Sequence, residues 1–416
     1  MTSPQNRAHP ARLAGFVLLA LLLAAPALAA PALPAASAEN TLRHLTVLSQ
    51  HIGPRPSGAP AYLRAVEYVE GQLRALGYEV ARQPFNFLYF EARGASLQVV
   101  GGEALRPVVL EYSAATPVPG TEAPLVPTGL GRREEVQRAG VEGRIALVQR
   151  GEITFREKVE TAAAAGAVGV VVYNNRSGPV QGATLITPSR IPAVIISQEE
   201  GERLLARLRQ GAVRVQLRVD TLTEQRPTWN VIGRRAGRSA RTVVIGAHLD
   251  SVEVSPGAND NGSGIAAALE AARLLANVPL EFSVEIVGFG AEERGLLGSA
   301  HYVRERGNQV AGMVNMDMVG VGTLQVGNGS GSGPLIDAAE RIAARLGLRL
   351  PRFRLPGASD HASFERAGIP TVFIHTGDDP LIHTPNDVLE RVDARLMAQA
   401  AQLAAAVALE AAEVLR

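Results

Sequence analysis

The sequence has 416 residues and no cysteine, which excludes several kinds of site and attachment. Without cysteine, no disulfide can stabilise the fold and no lipid can be attached through an N-terminal cysteine. Any zinc ion must be bound by histidine, aspartate and glutamate. This donor set is more typical of catalytic than of structural zinc sites, because structural sites usually use cysteine.

Lysine is nearly absent too, since Lys158 is the only one and arginine carries almost all of the positive charge. The 41 basic residues nearly balance the 40 acidic residues, and no basic stripe favours a nucleic-acid partner. Two catalytic signatures are also missing. The absence of G-x-S-x-G argues against a serine hydrolase, and the absence of G-x-G-x-x-G argues against a dinucleotide-binding enzyme.

The N-terminal segment has the features of a signal peptide. Two arginines precede an apolar run at residues 13–23, and small residues follow at 27–29. The apolar run is too short to be a good membrane span. We therefore predict a signal peptide at residues 1–30, with cleavage near residue 29 or near residue 38. The mature protein is expected to be secreted, either periplasmic or extracellular, with no stable membrane anchor.

The length of the chain and the change in its residue pattern after Trp229 predict two domains. The chain exceeds the size at which a single core usually keeps growing. Proline and glycine punctuate short β-rich runs in the middle of the chain, whereas strands and helices alternate regularly after Trp229. This alternation, with continuously apolar strands, indicates an α/β domain with a mostly parallel sheet and helices on both faces. We predict that residues 39–105 and 228–416 form this domain, with a β-rich domain inserted at 106–227.

The α/β domain is predicted to begin with two helices that are separated by a turn at residues 53–58. The glycine-rich segment at 327–333 predicts a mobile loop. The regular part of the chain predicts strands at 242–247, 282–288, 312–317 and 371–375, and helices at 264–275, 296–305, 335–346, 359–367 and from about 393.

Residue types that bind metals follow several of these strands. In open α/β sheets, ligands bind beyond the carboxyl ends of the strands, so we expect these side chains to converge. The set offers two histidines and three carboxylates for two zinc ions, with one spare glutamate beside them. Its members are His248, Asp260, Glu293, Asp317 and His383, with Glu292 as the spare glutamate, and Asp250 lies two residues after His248.

The spacing predicts how the ligands divide between the ions. A bridging carboxylate can hold two divalent ions roughly 3.5–4 Å apart. Asp260 suits the bridge because its small, flexible neighbours let the backbone approach the metals. His248 and Asp317 then complete one ion, which leaves Glu293 and His383 for the other.

Asp250 and Glu292 suit supporting roles. Asp250 lies two residues after His248, and on an extended strand end it can hold the free ring nitrogen. Glu292 precedes a ligand and can take a proton from the attacking water as general base. Taken singly, the acids have structural interpretations, with Asp260 as a helix cap and Asp317 as a turn residue. Together they favour a metal site, because several buried carboxylates near one crevice need a cation.

These motifs resemble the co-catalytic di-zinc aminopeptidases, a family that includes bacterial leucyl aminopeptidases, aminopeptidase Y and glutamate carboxypeptidase. The resemblance covers most of the chain after the leader. It implies that Glu292 is the catalytic base and that Asp250 is the aspartate behind the first ligand. Some members have a tyrosine where this chain has Ile382, so one possible donor to the tetrahedral intermediate is missing. The zinc ligands that the resemblance implies are His248, Asp260, Glu293, Asp317 and His383.

The inserted segment resembles a protease-associated domain, a module thought to shield the active site or to gather substrate. Relatives often have a cysteine where this chain has Ile153. Ser359-Asp360-His361 also looks like a family feature near the pocket, and no ligand role is assigned to it. The insert's resemblance rests on residues 143–148, Arg150-Gly151, Phe155, Ala165-Gly166-Ala167 and Ile191-Pro192-Ala193.

The resemblance implies an exported zinc-dependent aminopeptidase that acts on peptides. Alternatives on the same fold are a carboxypeptidase, a dipeptidase or a single-zinc glutaminyl cyclase, although the presence of both His248 and Asp317 favours two ions. A carboxypeptidase would need an arginine to hold the substrate's carboxylate. An inert binding homologue is disfavoured by the intact Glu292. Four further histidines are predicted to be packing or surface residues, namely His44, His51, His301 and His375.

Overall fold

The computed structural model describes residues 1–2, 33–178 and 183–415. Nearly all of the predicted signal peptide therefore lies outside the described residues. Within the described ranges, no helix combines the length and the apolar character that crossing a bilayer requires.

The helices of the described residues agree closely with those predicted for the α/β domain. The first helix continues as a π-helical turn over Val47–Ile52, before the predicted glycine-rich turn. The α-helices are α1 (Ala38–Thr46), α2 (Pro60–Ala75), α3 (Arg133–Ala139), α4 (Phe155–Ala164), α5 (Gln198–Gln210), α6 (Gly264–Leu275), α7 (Leu297–Arg306), α8 (Pro334–Arg345), α9 (His361–Arg366) and α10 (Ala394–Val414).

The strands include four that match the strands predicted for the regular part of the chain. The strands are β1 (Glu79–Val99), β2 (Ala104–Leu105), β3 (Val108–Val109), β4 (Thr121–Pro127), β5 (Ile145–Gln149), β6 (Gly169–Tyr173), β7 (Ala193–Ile196), β8 (Arg214–Arg235), β9 (Ser239–His248), β10 (Phe282–Phe289), β11 (Val310–Met316), β12 (Gln325–Asn328), β13 (Arg352–Arg354) and β14 (Thr371–His375).

The α/β half of the sheet has the order β13-β12-β14-β11-β9-β10-β8. Its central strands are parallel: β9 pairs with β10 and β11, and β11 pairs with β14. The carboxyl ends of β9, β10 and β11 therefore meet at one edge. The predicted mostly parallel sheet is confirmed.

The segment predicted as a mobile loop is only partly a loop. Its first two residues belong to β12, which pairs antiparallel with β14. The next residues are held in place, since the Oδ1 atom of Asn328 accepts hydrogen bonds from the backbone N–H groups of Ser330 and Gly331. Composition misled here because glycine predicts flexibility, whereas one asparagine side chain can satisfy several N–H groups of a tight turn.

Two long strands join the α/β domain to the insert. β1 has 21 residues and β8 has 22, and they pair antiparallel along nearly their whole length. One end of β8 pairs with β10, and the other end pairs with β4 of the insert. The insert continues the order as β4-β5-β6-β7-β3. The predicted boundary at residues 227 and 228 thus lies inside a continuous strand, because a change in composition does not require a break in extended backbone.

Alternating side chains on β9 build two cores. Val243 and Ile245 face a core that includes the alanine-rich helices α6 and α10. Val244 faces the other side, where it packs with Phe289 and Tyr302. Each such fully buried side chain contributes about 1.5–3 kcal/mol. The insert has separate apolar clusters on the two faces of its sheet.

Candidate metal centre

Strand β9 positions the first predicted ligand. His248 is its last residue and is buried. The Nε2 atom of His248 lies 3.0 Å from Oδ1 of Asp260 and 3.3 Å from Oδ1 of Asp317. Asp317 directly follows β11, the parallel neighbour of β9, so strand pairing brings the two side chains to one edge of the sheet. These three residues form one cluster of possible metal ligands.

A second cluster shares Asp260 with the first. The Nε2 atom of His383 lies 3.0 Å from Oδ2 of Asp260 and 3.1 Å from Oε2 of Glu293. Glu293 follows β10, the other parallel neighbour of β9, and His383 lies on the loop after β14. The two carboxylate oxygens of Asp260 thus face different histidines. The structure brings together all five residues predicted to bind metal, with Asp260 common to both clusters.

The electrostatics of both clusters favour a positive charge between imidazole and carboxylate. Hydrogen bonds to Asp260 and Glu293 raise the pKa of His383 to about 10. Burial lowers the pKa of His248, but the surrounding carboxylates of Glu292, Asp317 and Asp260 outweigh burial and raise it well above its ordinary value. Either a proton or a metal ion is therefore stabilised beside each imidazole.

Buried carboxylate oxygens also fit a metal ion. Among the described residues, Oε1 of Glu293 and Oδ1 of Asp317 are buried without a hydrogen-bond partner. Such unpaired atoms are costly in the interior, and a divalent cation satisfies them. Imidazole and carboxylate donors suit zinc, so these side chains fit the predicted ions.

Glu292 lies beside the first cluster, where a general base would be needed. Its Oε2 atom is 3.9 Å from Nε2 of His248, and 11% of its side chain is exposed. Burial, together with the carboxylates of Asp360 and Asp317, raises the pKa of Glu292 well above its ordinary value. A carboxyl group of raised pKa is suited to taking up and releasing a proton near neutral pH.

Asp250 is placed differently from the prediction. The spacing predicts that its carboxylate holds the free ring nitrogen of His248. That nitrogen, Nδ1, is 3.1 Å from the backbone carbonyl oxygen of Asp250 but 3.9 Å from its carboxylate. The carboxylate instead accepts a 3.2 Å hydrogen bond from the backbone N–H of Glu292. Because β9 ends at His248, the alternation of an extended strand does not continue to Asp250.

The loop that carries Asp260 is held by the next residue, Asn261. The Nδ2 group of Asn261 donates to the carbonyl of Met316 at 2.9 Å, and its Oδ1 atom accepts from the N–H of Gly264 at 2.9 Å. Asn261 therefore caps α6, and the interpretation of Asp260 as the helix cap is wrong. The carboxylate of Asp260 remains directed at the two histidines.

Two buried acids that sequence reasoning missed also hold this loop. Asp387 accepts hydrogen bonds from the backbone N–H groups of Asn259 at 2.7 Å and of Asp260 at 3.1 Å. Asp379 accepts from the side-chain amide of Asn259 at 3.2 Å and pairs with Arg391 at 2.9 Å. The only signal for either acid in the sequence is that each lies four residues from His383.

The insert contacts the site through Arg294, the residue after Glu293. The Nη1 atom of Arg294 lies 3.0 Å from Oε1 of Glu111 in the insert, and its Nη2 atom pairs with Glu253. The Arg294 side chain is 15% exposed, so this contact is largely shielded from solvent. The inserted domain therefore lies directly against the loop that carries Glu292 and Glu293.

The remaining candidates lie behind the clusters. Asp360, in the Ser359-Asp360-His361 segment, is fully buried, and burial raises its pKa to about 7. His375, predicted to be a packing residue, forms a 2.7 Å hydrogen bond through Nδ1 with the backbone carbonyl of Asp317. His375 thus supports a candidate ligand. Three more of the histidines predicted to be packing or surface residues have such positions: His44 contacts Tyr68, His51 is exposed and His301 stacks on Phe85.

Comparison with known proteins agrees with the fold and with the inserted domain. Peptidase family M28 matches residues 230–408, and the PA domain family matches residues 121–204. Aminopeptidase YwaD of Bacillus subtilis is 33% identical over 402 residues, which cover 90% of this chain and 85% of that protein. An aminopeptidase of Pseudomonas aeruginosa is 32% identical, with 87% of this chain and 74% of that protein covered.

The solved structures that superpose on this chain include aminopeptidases as well. The aminopeptidase from Aneurinibacillus sp. strain AM-1 superposes with a TM-score of 0.80 at 34% identity, covering 90% of this chain and 94% of that chain. A zinc aminopeptidase from Bacillus subtilis gives a TM-score of 0.74 at 32% identity, covering 92% and 96%. These matches confirm the resemblance drawn from the motifs. The chain belongs to peptidase family M28, whose members hydrolyse peptide bonds, and it carries an inserted PA domain.

Proposed function

We propose that this protein is an exported aminopeptidase that binds two zinc ions and removes N-terminal residues from peptides. The observation that carries the proposal is the pair of ligand clusters with Asp260 in common. His248 and Asp317 would hold the first ion, and Glu293 and His383 would hold the second, with one carboxylate oxygen of Asp260 in each cluster. The aminopeptidase names of the relatives and the zinc named for one solved relative support this assignment.

When bound by these residues, zinc would supply Lewis acidity, the chemistry that lowers the pKa of water and polarises a carbonyl group. Glu292 takes the proton from the attacking water as the new carbon–oxygen bond forms. It then delivers that proton to the nitrogen of the leaving amine as the peptide bond breaks, so the carboxylate is regenerated. The hydrogen bond from the Glu292 N–H to Asp250 holds the base beside the clusters.

The charges around the site favour an aminopeptidase over a carboxypeptidase. A carboxypeptidase needs a free guanidinium for the substrate's carboxylate. The arginines beside this site are engaged, since Arg55 donates to backbone carbonyls, Arg294 binds two glutamates and Arg391 binds Asp379. A dipeptidase would also need a group that binds the substrate's free C-terminal carboxylate.

Export rests on the sequence alone, through the leader predicted at residues 1–30. Peptides are the proposed substrates and partners. The contact between Arg294 and Glu111 supports a role for the PA domain at the mouth of the site. The domain is proposed to limit access to the clusters or to gather peptides there.

The Glu292→Gln variant tests the proposed chemistry. Glutamine keeps the shape of glutamate but cannot accept the proton, so we expect kcat to fall by about 10²–10⁴-fold. Zinc content, measured by elemental analysis, should remain two per chain. Chelation should abolish the activity of the parent, and added zinc should restore it. Glu67→Gln, on the exposed side of α2, is the matched control and should keep full activity.

The substrate assay separates the candidate functions. Amino-acid anilides and peptides with a free N-terminus should be cleaved, whereas the same peptides with an acetylated N-terminus should not. Cleavage of N-blocked peptides from the C-terminus would make the protein a carboxypeptidase. A Glu292→Gln variant as active as the parent would show that another group acts as base.

A further inference from the structure

The backbone between the first ligand and the shared ligand forms an irregular loop at residues 249–257 that leads into the π-helical turn Ala258–Ser263. The backbone of this loop forms no regular ladder of hydrogen bonds with a neighbouring strand, so its carbonyl and N–H groups need other hydrogen-bond partners. The spacing of His248 and Asp260 depends on its shape. Two charged side chains from distant parts of the chain supply several of those partners.

Arg55 binds the carbonyl groups of the loop. Its guanidinium donates to the backbone carbonyls of Leu249 at 2.7 Å, of Pro256 at 2.7 Å and of Gly257 at 2.9 Å. Its own N–H donates to Oγ of Ser251 at 3.1 Å. The side chain is fully buried, with 0% exposure. A planar guanidinium can direct several N–H groups at carbonyls in fixed directions, which a lysine ammonium cannot do.

Asp387 binds the N–H groups at the other end of the same stretch. Its Oδ1 and Oδ2 atoms accept from the backbone N–H groups of Asn259 and Asp260, and its carbonyl accepts from the N–H of Ala258 at 3.3 Å. Asp387 is also fully buried. Arg55, a buried cation, thus binds carbonyl groups of this stretch, and Asp387, a buried anion, binds its N–H groups.

We infer that Arg55 and Asp387 are positioning residues that together fix the backbone from Leu249 to Asp260 and so set the geometry at which His248 and Asp260 bind zinc. The inference rests on the proposed function. Neither side chain is a ligand, because both are occupied by backbone groups. The loop has hydrogen bonds of its own, from Oγ of Ser251 to the carbonyl of Ser255 at 3.1 Å and from the N–H of Gly257 to Oγ of Ser255 at 3.0 Å, but the two fully buried charges are the groups that bind its backbone at both ends.

A buried arginine could instead serve only the stability of the fold. The two roles differ in what a conservative change does. If Arg55 only stabilises the fold, Arg55→Lys lowers the free energy of unfolding but leaves the zinc affinity of the folded protein unchanged. If it sets the ligand geometry, zinc affinity falls in molecules that remain folded.

The experiment measures zinc dissociation constants by competition with a chromogenic chelator for the full-length parent and for Arg55→Lys and Asp387→Asn. Folding of each variant is checked by circular dichroism, and kcat and KM are measured with an amino-acid anilide. We expect each variant to bind zinc about 10–100-fold more weakly, as for other changes behind a metal ligand. With saturating zinc, kcat should fall more than KM rises. Arg64→Lys and Asp220→Asn, both exposed, are the matched controls.

The outcomes separate this inference from the proposed function. A parent that binds no zinc overturns both. A parent that binds zinc, with folded variants of equal zinc affinity, overturns the inference and leaves the proposed function intact. If Arg55→Lys does not fold, Asp387→Asn decides, because asparagine keeps the size of the side chain and one acceptor oxygen.

Discussion

The segment before α1 is predicted to contribute strongly to stability, and its removal can be tested directly. Ser37 is the N-cap of α1, and its hydroxyl accepts from the N–H of Asn40 at 3.2 Å. Its own N–H donates to Oε1 of the fully buried Glu270 at 2.7 Å. The N–H of Ala36 donates to Oε1 of Gln402 at 2.8 Å. A chain that begins at Glu39 lacks all three bonds.

The magnitude follows from the kinds of bond that are lost. An N-cap contributes about 1 kcal/mol. A hydrogen bond to a charged group contributes about 1.5–3 kcal/mol and a neutral one about 1 kcal/mol. Loss of all three should lower the free energy of unfolding by about 3.5–5 kcal/mol. Leu33 and Ala36 also pack against the main core, so the loss includes apolar contact.

Urea unfolding of a chain that begins at residue 30 and of one that begins at residue 39 measures this difference. The longer chain is the control, since it lacks the leader but retains every contact described. Equal unfolding free energies would refute the reasoning. The same contacts favour leader cleavage near residue 29 over cleavage near residue 38, because the later cut removes Ser37. N-terminal sequencing of the exported protein checks this choice.

Two further predictions concern acid stability and packing beside the base. Burial, with help from nearby Arg43, lowers the pKa of His44 from 6.5 to about 4. Neutral His44 therefore makes its full contribution to the free energy of unfolding above about pH 6.5. This contribution is lost as the pH falls towards 4, because only the unfolded state gains the proton in that range. At pH 5 the free energy of unfolding is lower by about 2 kcal/mol. In urea titrations at pH 8 and pH 5, the His44→Gln variant should lose less stability between the two pH values than the parent does. An equal loss in both proteins would contradict the role assigned to His44. A Cβ atom on Gly298 would clash with the backbone of Gly290, two residues before Glu292. Gly298→Ala should therefore cost about 1–3 kcal/mol in thermal unfolding and lower kcat, and parental values for both would contradict this.

Much of the α/β fold was predictable because local patterns specify it. The alternation at Val243, Val244 and Ile245 places side chains on both faces of a buried strand, and β9 has that arrangement. Polar residues directly after such strands meet at one edge of a parallel sheet. This rule predicted that His248 and Asp317 lie close together, and the 3.3 Å distance from Nε2 of His248 to Oδ1 of Asp317 bears it out.

The missed features depend on side-chain direction or on partners far away in the chain. Sequence spacing alone did not show that the carboxylate of Asp250 turns towards Glu292, because the turn after β9 redirects it. It also did not show that Asn261 caps α6 in place of Asp260. Neighbouring polar residues compete for the same backbone groups, and only the folded geometry selects between them.

The sequence by itself determined the set of candidate metal ligands, the exclusion of cysteine from that set and the parallel sheet, because residue type and hydrophobic period carry this information. The tertiary structure alone decided how those ligands are held. The guanidinium of Arg55 and the carbonyl of Leu249 are separated by 194 residues along the chain, yet they lie 2.7 Å apart. A contact of this kind leaves no local pattern, since each partner is selected by packing of the whole domain rather than by its neighbours in sequence.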